Sequence, residues 1–244
     1  MGFEARPDGS DLRARAAEVL ARVRGAARRA GRDPSEVKLV AVSKTHTAAL
    51  VREAAAAAGL REFGENRVQE AEGKIAELSD VEGLRWHLIG HLQPNKARRA
   101  VRLFDLIHTV DNAALAERLE RICAEEGRAR LEVLVQVDLA GEAAKSGATE
   151  AELPALFEVF GRSTRVYCKG LMILPPFYEE VEKVRPYFRR LRELAGEWRA
   201  RGAFGTEAVE LSMGMSHDFE AAVEEGATLV RVGTALFGER GKAA

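Results

Sequence analysis

The chain predicts an α/β fold of the (β/α)8, or TIM-barrel, type with one additional helix at its N terminus. Three observations carry that expectation. Eight short apolar runs alternate with stretches of helical periodicity along 244 residues. The run over residues 131–139 is nearly continuous in apolar side chains, as a strand covered on both faces must be. No G-x-G-x-x-G follows the first run, which argues against an open dinucleotide-binding sheet. The eight units and the extra helix leave nothing obvious for a second domain, so residues 1–244 are expected to form one.

Residues 1–10, with Gly2, Pro7, Asp8 and Gly9, read as a loose terminus. Residues 11–30 place Leu12, Ala16, Val19, Leu20 and Val23 on one helical face, and Gly31 and Pro34 end that helix. It would cover the position left open after the eighth strand. The first strand, residues 37–45, sends Lys38, Val40, Val42 and Lys44 to one side and Leu39, Ala41 and Ser43 to the other. Thr47 then caps a helix to Ala58 that Gly59 closes. The second strand covers 61–63 and is followed by Gly64-Glu65-Asn66 and a helix to about Leu78. The third covers 86–89, with a turn over 90–95 and a short helix over 96–101.

The fourth strand covers 105–110, and Asp111 or Asn112 caps a helix to Glu126. The fifth is residues 131–139. A loop over 140–148 leads to a helix over 150–160, and the sixth strand, 166–174, is stopped by Pro175-Pro176. A long helix over 179–201 carries Pro186 near its start, which kinks or breaks it there. The seventh strand is 209–212, and Ser216 opens a helix to Glu225. The eighth, 229–232, runs into Gly233-Thr234-Ala235-Leu236-Phe237-Gly238.

Composition is 46% hydrophobic and 31% charged, and 37 basic residues balance 38 acidic ones to a net charge of -1. Such a balance gives no general electrostatic reason to bind nucleic acid or an anionic membrane. No apolar run approaches a membrane span, and residues 1–11 lack the apolar core of a signal peptide, so a cytoplasmic location is expected. Cys123 and Cys168 lie far apart and outside any C-x-x-C, which gives no support to a disulfide framework or a zinc site.

In a barrel of this kind chemistry collects at the C-terminal ends of the strands, where Lys44, Asn66, Ser212 and Gly233-Thr234 all fall. An amine at the exit of a buried strand loses hydration and becomes a better nucleophile toward aldehydes, with pyridoxal phosphate as the obvious one. The alternative is a lysine that ends its strand and reaches to water. Ser212-Met213-Gly214-Met215-Ser216 and Arg231-Val232-Gly233-Thr234 are glycine-containing turns on neighbouring strands, able to converge donors on a phosphate. A serine there also serves as a plain helix cap. Arg231 shares a face with Leu229 and Gly233 and so points inward, where it can donate to a pyridine nitrogen while disfavouring its protonation. An ordinary ion pair is its alternative. His87 and His91 sit on a strand and turn without a nearby cysteine or carboxylate, which favours packing or hydrogen bonding over metal ligation. Trp86 and Phe63 are core candidates, and His46 and His108 have no evident partners.

These motifs resemble the pyridoxal phosphate homeostasis proteins, the YggS or PROSC family. The matching segments are AVSKT (41–45), FGENRVQE (63–70), WHLIGHLQPNK (86–96), GLMIL (170–174) and LSMGMSHDFEAAVEEGATLVRVGTALFG (211–238), so the resemblance runs from about residue 37 to 240. Asp138 departs from it, since the family more often has asparagine there. The resemblance implies the barrel of the alanine racemase N-terminal domain, with pyridoxal 5'-phosphate (PLP) held as a Schiff base on Lys44. It further implies Arg231 toward the pyridine nitrogen, Ser212, Ser216, Gly233 and Thr234 at the phosphate, Asn66 beside the ring, and no metal. The implied function is homeostasis of intracellular PLP without an established turnover reaction. A monomer is favoured, with PLP-dependent apoenzymes as candidate recipients.

The rival reading is a PLP-dependent amino-acid racemase. Racemisation needs a base on each face of the α-carbon, and alanine racemases supply the second as a tyrosine from a partner's C-terminal domain. This chain runs only six residues past Gly238, and Tyr167, Tyr178 and Tyr187 do not match that tyrosine.

Overall fold

Eight parallel strands pair in sequence order and close on themselves in the computed structural model, which describes residues 9–141, 146–206 and 208–238. They are β1 (Lys38–Val42), β2 (Glu62–Glu65), β3 (Arg85–Leu88), β4 (Leu106–Val110), β5 (Leu131–Val137), β6 (Val166–Ile173), β7 (Glu210–Met215) and β8 (Leu229–Val232), with β8 pairing back onto β1. The helices are α1 (Gly9–Arg29), α2 (Ala48–Ala58), α3 (Val68–Glu77), α4 (Ala97–Leu103), α5 (Ala113–Glu125), α6 (Leu153–Arg162), α7 (Arg185–Ala200), α8 (Phe219–Glu224) and α9 (Thr234–Phe237). The expected (β/α)8 barrel with an N-terminal helix is the fold observed. Of the segments expected to be loops, residues 1–8 and 142–145 lie outside the described residues.

Local chemistry sets most boundaries. Thr47 Oγ1 accepts from Leu50 N at 3.3 Å, and Asn112 Oδ1 accepts from Leu115 N at 2.8 Å, so both caps form. The helix expected over 179–201 is broken: a 3-10 turn at Val181–Lys183 precedes α7, whose first turn holds Pro186, where a missing N–H costs nothing. α1 starts two residues before expectation, buries Leu12, Ala16, Val19, Val23, Ala26 and Ala27, and packs against α2, α8 and α9.

Strand ends differ from expectation most at β1 and β7. β1 stops at Val42 because Thr45 adopts φ +67, and that backbone cannot extend a strand. β7 continues to Met215, past the expected end at 212. A register shift lies between Ser212 and Met215, with Gly214 at φ +90 and packed so that a Cβ there would sit 2.5 Å from Ala222 Cβ. The bulge hides a strand inside what reads as a turn. Ser216 correspondingly does not open the next helix, because Asp218 Oδ1 accepts from Met215 N at 2.6 Å and closes a turn before α8 begins at Phe219.

The core has two layers. The outer one, between strands and helices, contains Phe63, Trp86, Leu88, Ile107, Leu131, Phe188 and Phe219, and each such side chain contributes roughly 1.5–3 kcal/mol on burial. The inner layer fills the barrel with Val40, Leu106, Leu134, Met172 and Leu229. Below it the barrel floor, at the N-terminal ends of the strands, is charged: Lys38, Glu62, Arg85, Glu132, Lys169 and Glu210 surround a cavity of about 170 Å³. Lys38 Nζ meets Glu210 Oε1 at 2.9 Å, and Arg85 reaches Glu132 at 3.3 Å and Glu62 at 3.7 Å.

Candidate functional site

Lys44 sits on the turn that follows β1, and this turn is clamped from outside the barrel. Ser43, fully buried, donates from Oγ to Glu65 Oε1 at 2.6 Å. Lys74 Nζ donates to the Ser43 carbonyl at 2.8 Å, to Glu65 Oε1 at 2.5 Å and to Glu70 Oε1 at 3.3 Å. The Thr45 N–H donates to Glu70 Oε1 at 2.5 Å. A β-branched residue in left-handed backbone costs about 1–3 kcal/mol and persists only where its surroundings over-determine it. Lys74, Glu65 and Glu70 are those surroundings. Burial pushes the Glu65 carboxyl up, opposed by its bonds to Lys74 and Ser43.

Arg231 is 3% exposed and points into the barrel beneath the mouth. Its Nη1 donates to Ser212 Oγ at 2.6 Å and its Nη2 to the Ile173 carbonyl at 2.9 Å. Burial lowers its pKa to about 10, against the opposing charge of Asp218, so it remains a cation at neutral pH. Ser212 pairs with Leu229 whereas Met215 pairs with Arg231, which places Ser212 one layer deeper than the arginine it supports. Its hydroxyl is held by Arg231 and His108, away from the mouth.

At the mouth itself, Ser216 Oγ accepts from Gly233 N at 3.2 Å and from Ala235 N at 3.5 Å. Two amides from the turn after β8 thus converge on one point beside Thr234. Gly233 also packs on β1, since a Cβ there would lie 3.3 Å from Val42 Cβ and 3.4 Å from the Val42 carbonyl. Through the pairing of Ala41 with Val232, the Lys44 turn and the Gly233 turn are neighbours. Asn66 follows β2, the other neighbour of β1, and lines a cleft of about 420 Å³ with Arg67, Gly90, His91, Gln93 and Lys96. A Cβ on Gly90 would lie 2.2 Å from the Asn66 carbonyl oxygen. Gly90→Ala is therefore expected to destabilise the fold by roughly 1–3 kcal/mol, read as a lower urea midpoint at unchanged slope. A midpoint equal to wild type would mean that the Asn66 turn yields freely.

The family model for the alanine racemase N-terminal domain matches residues 16–241. A pyridoxal phosphate homeostasis protein of Pseudomonas aeruginosa is 49% identical over 224 residues, 92% of this chain and 94% of that protein. The chain belongs to the pyridoxal phosphate homeostasis protein family. A solved relative, PipY of Synechococcus elongatus with PLP bound, is 45% identical with a TM-score of 0.81, covering 93% of this chain and all of that one. Alanine racemase from Corynebacterium glutamicum, at 20% identity and a TM-score of 0.63, shares the fold over 94% of this chain and 64% of its own.

Sequence reading missed two sets of residues in this homeostasis family member. The first is the clamp of Glu65, Glu70 and Lys74. Its only sequence signal is the Glu70 to Lys74 spacing, which reads as an ordinary helix-surface pair. The second is His108, which is fully buried and bonded to His87 and Ser212. Alternation puts it on the inward face with Leu106, and that was the available signal. His87 has the hydrogen-bonding role expected of it. His91 lies 3.6 Å from Asp111. Among the described residues no group of three or more His, Cys, Asp or Glu is placed to hold a metal ion, and no helix is long and apolar enough to cross a membrane. Cys123 and Cys168 are free and buried, which raises their thiols to about 11 and about 12.

Proposed function

We propose that this chain binds pyridoxal 5'-phosphate at the barrel mouth as a cytoplasmic, monomeric, single-domain carrier that serves PLP homeostasis, with PLP-dependent apoenzymes as recipients, and turns nothing over. The observation that carries the reading is the β8–β1 seam. It makes the turn that carries Lys44 a neighbour of the turn whose Gly233 and Ala235 amides converge on Ser216, with Arg231 buried at the end of β8. The residues fit the group. Gly233, Thr234 and Ser216 offer donors of the kind a phosphate needs, and Arg231 offers a cationic donor to a pyridine nitrogen that it keeps unprotonated. Bound PLP supplies an aldehyde carbon with which a primary amine condenses with loss of water, and Lys44 is the amine on the clamped turn. Ser212 acts from one layer down, by holding Arg231. Asn66 approaches the ring from the β2 side.

Placement of the tyrosines supports carriage over racemisation. Tyr167 is exposed near the start of β6, under Arg130, and the hydroxyls of Tyr178 and Tyr187 lie 3.0 Å apart, bonded to each other. The test is to load the protein with PLP, remove the excess, and incubate it with L-alanine under chiral analysis. The expected result is retained PLP and an amino acid that stays L. Racemisation that disappears in Lys44→Ala would overturn the carrier reading in favour of the racemase.

A further inference from the structure

Four polar side chains link the barrel floor to Arg231. Glu62 Oε2 lies 2.5 Å from His87 Nε2, and His87 Nδ1 lies 2.9 Å from His108 Nε2. His108 Nδ1 lies 2.8 Å from Ser212 Oγ, which accepts from Arg231 Nη1 at 2.6 Å. His87 is 1% exposed and His108 and Ser212 are fully buried, so bulk water does not interrupt the series.

Counting hydrogens gives the series a direction. A guanidinium only donates, so Ser212 Oγ accepts from Arg231 and its one hydroxyl hydrogen must find another acceptor. Among the described residues that acceptor is His108 Nδ1. A neutral His108 then carries its hydrogen on Nε2 and donates to His87 Nδ1. A neutral His87 likewise carries its hydrogen on Nε2 and donates to the Glu62 carboxylate. Every atom is satisfied once. The reverse direction would aim two donors at Ser212 Oγ and strand its hydroxyl hydrogen in a buried site, at a real cost. Burial first, and with it the charge of Arg231, holds His108 well below the ordinary histidine range. Glu62 is held below the ordinary carboxyl range: burial pulls upward, but the His87 hydrogen bond and the charges of Arg85 and Lys38 prevail. A charged terminus polarises the bonds behind it, so the series acts as a unit.

We propose that Glu62, His87 and His108 are positioning residues for Arg231, forming a one-way series of donors that starts at the guanidinium and ends on a carboxylate at the barrel floor. The series keeps a lone pair of Ser212 facing Arg231 and thereby fixes how the guanidinium presents its remaining donors at the mouth. Its value to binding rests on the reading that Arg231 meets the ring of PLP, whereas its direction does not.

Nitrogen NMR of the unloaded wild-type protein at neutral pH tests the direction without any ligand. Both rings should be neutral with the hydrogen on Nε2, and a hydrogen on Nδ1 of His108 would overturn the proposal. In Glu62→Ala, which removes only a floor carboxylate, the Nδ1–H form should appear on both rings. Rings that stay entirely Nε2–H would show that the floor does not hold the series. In spectral titrations, His108→Phe should bind both PLP and pyridoxal about tenfold more weakly, as expected when one hydrogen bond to a charged group is misplaced. Glu62→Ala should show the same equal pattern to a smaller degree. Unchanged affinity for both ligands in Glu62→Ala, with its rings altered, would remove the positioning role. Wild-type protein that binds neither ligand would defeat the PLP reading instead, with the ring measurements still deciding the series.

Discussion

Lys44→Ala, incubated with PLP and desalted, is expected to emerge colourless and to carry no phosphopyridoxyl group after borohydride treatment, whereas wild-type protein keeps a visible band and is labelled on the peptide containing Lys44. The expected loss of retention is on the order of a hundredfold, equivalent to ~3 kcal/mol, because the substitution removes the amine proposed to bond the aldehyde while leaving the proposed phosphate donors in place. The turn itself should survive. Its geometry is set by bonds among Ser43, Thr45, Glu65, Glu70 and Lys74. A label of equal yield on another peptide in Lys44→Ala would move the site to another lysine.

The second large effect belongs to the phosphate. Charge-assisted hydrogen bonds contribute roughly 1.5–3 kcal/mol each, and the Ser216, Gly233 and Thr234 cluster offers several, so pyridoxal should bind orders of magnitude more weakly than PLP. Ser216→Ala and Thr234→Val should each weaken PLP about tenfold and barely affect pyridoxal. Spectral titration of unloaded protein with both ligands measures this. Equal losses for both would mean that these residues shape the mouth in general, and the phosphate would have to sit elsewhere. Ser212→Ala should behave differently from these two. Its hydroxyl is bonded one layer deeper, to Arg231 and His108, so it should weaken both ligands alike.

That difference marks where sequence reading stops. Alternation turned Arg231 inward, and apolar continuity found all eight strands, because both signals are local. Depth along the barrel axis is not local. It is fixed by the stagger between neighbouring strands, and at β7 that stagger includes a bulge around Gly214 which a linear pattern renders as a turn. His108 lacked evident partners for the same reason, since His87 lies 21 residues away and Ser212 104. Pro186 was legible because its effect on a helix needs no partner. Lys74 was not, because its position in the chain is that of a surface residue while its side chain is 5% exposed against Glu65.

The clamp under Thr45 bears on the ordering cost of attachment. A turn already locked in its strained form has no backbone left to order when the Lys44 amine meets an aldehyde, so only the lysine's own rotatable bonds must be fixed. Pre-organisation of that kind removes an ordering cost from capture, which makes it both faster and tighter, and leaves the barrier to release to the bond itself. On the proposed carrier reading, the strained turn is the part of the protein that makes attachment quick to form without any folding of its own.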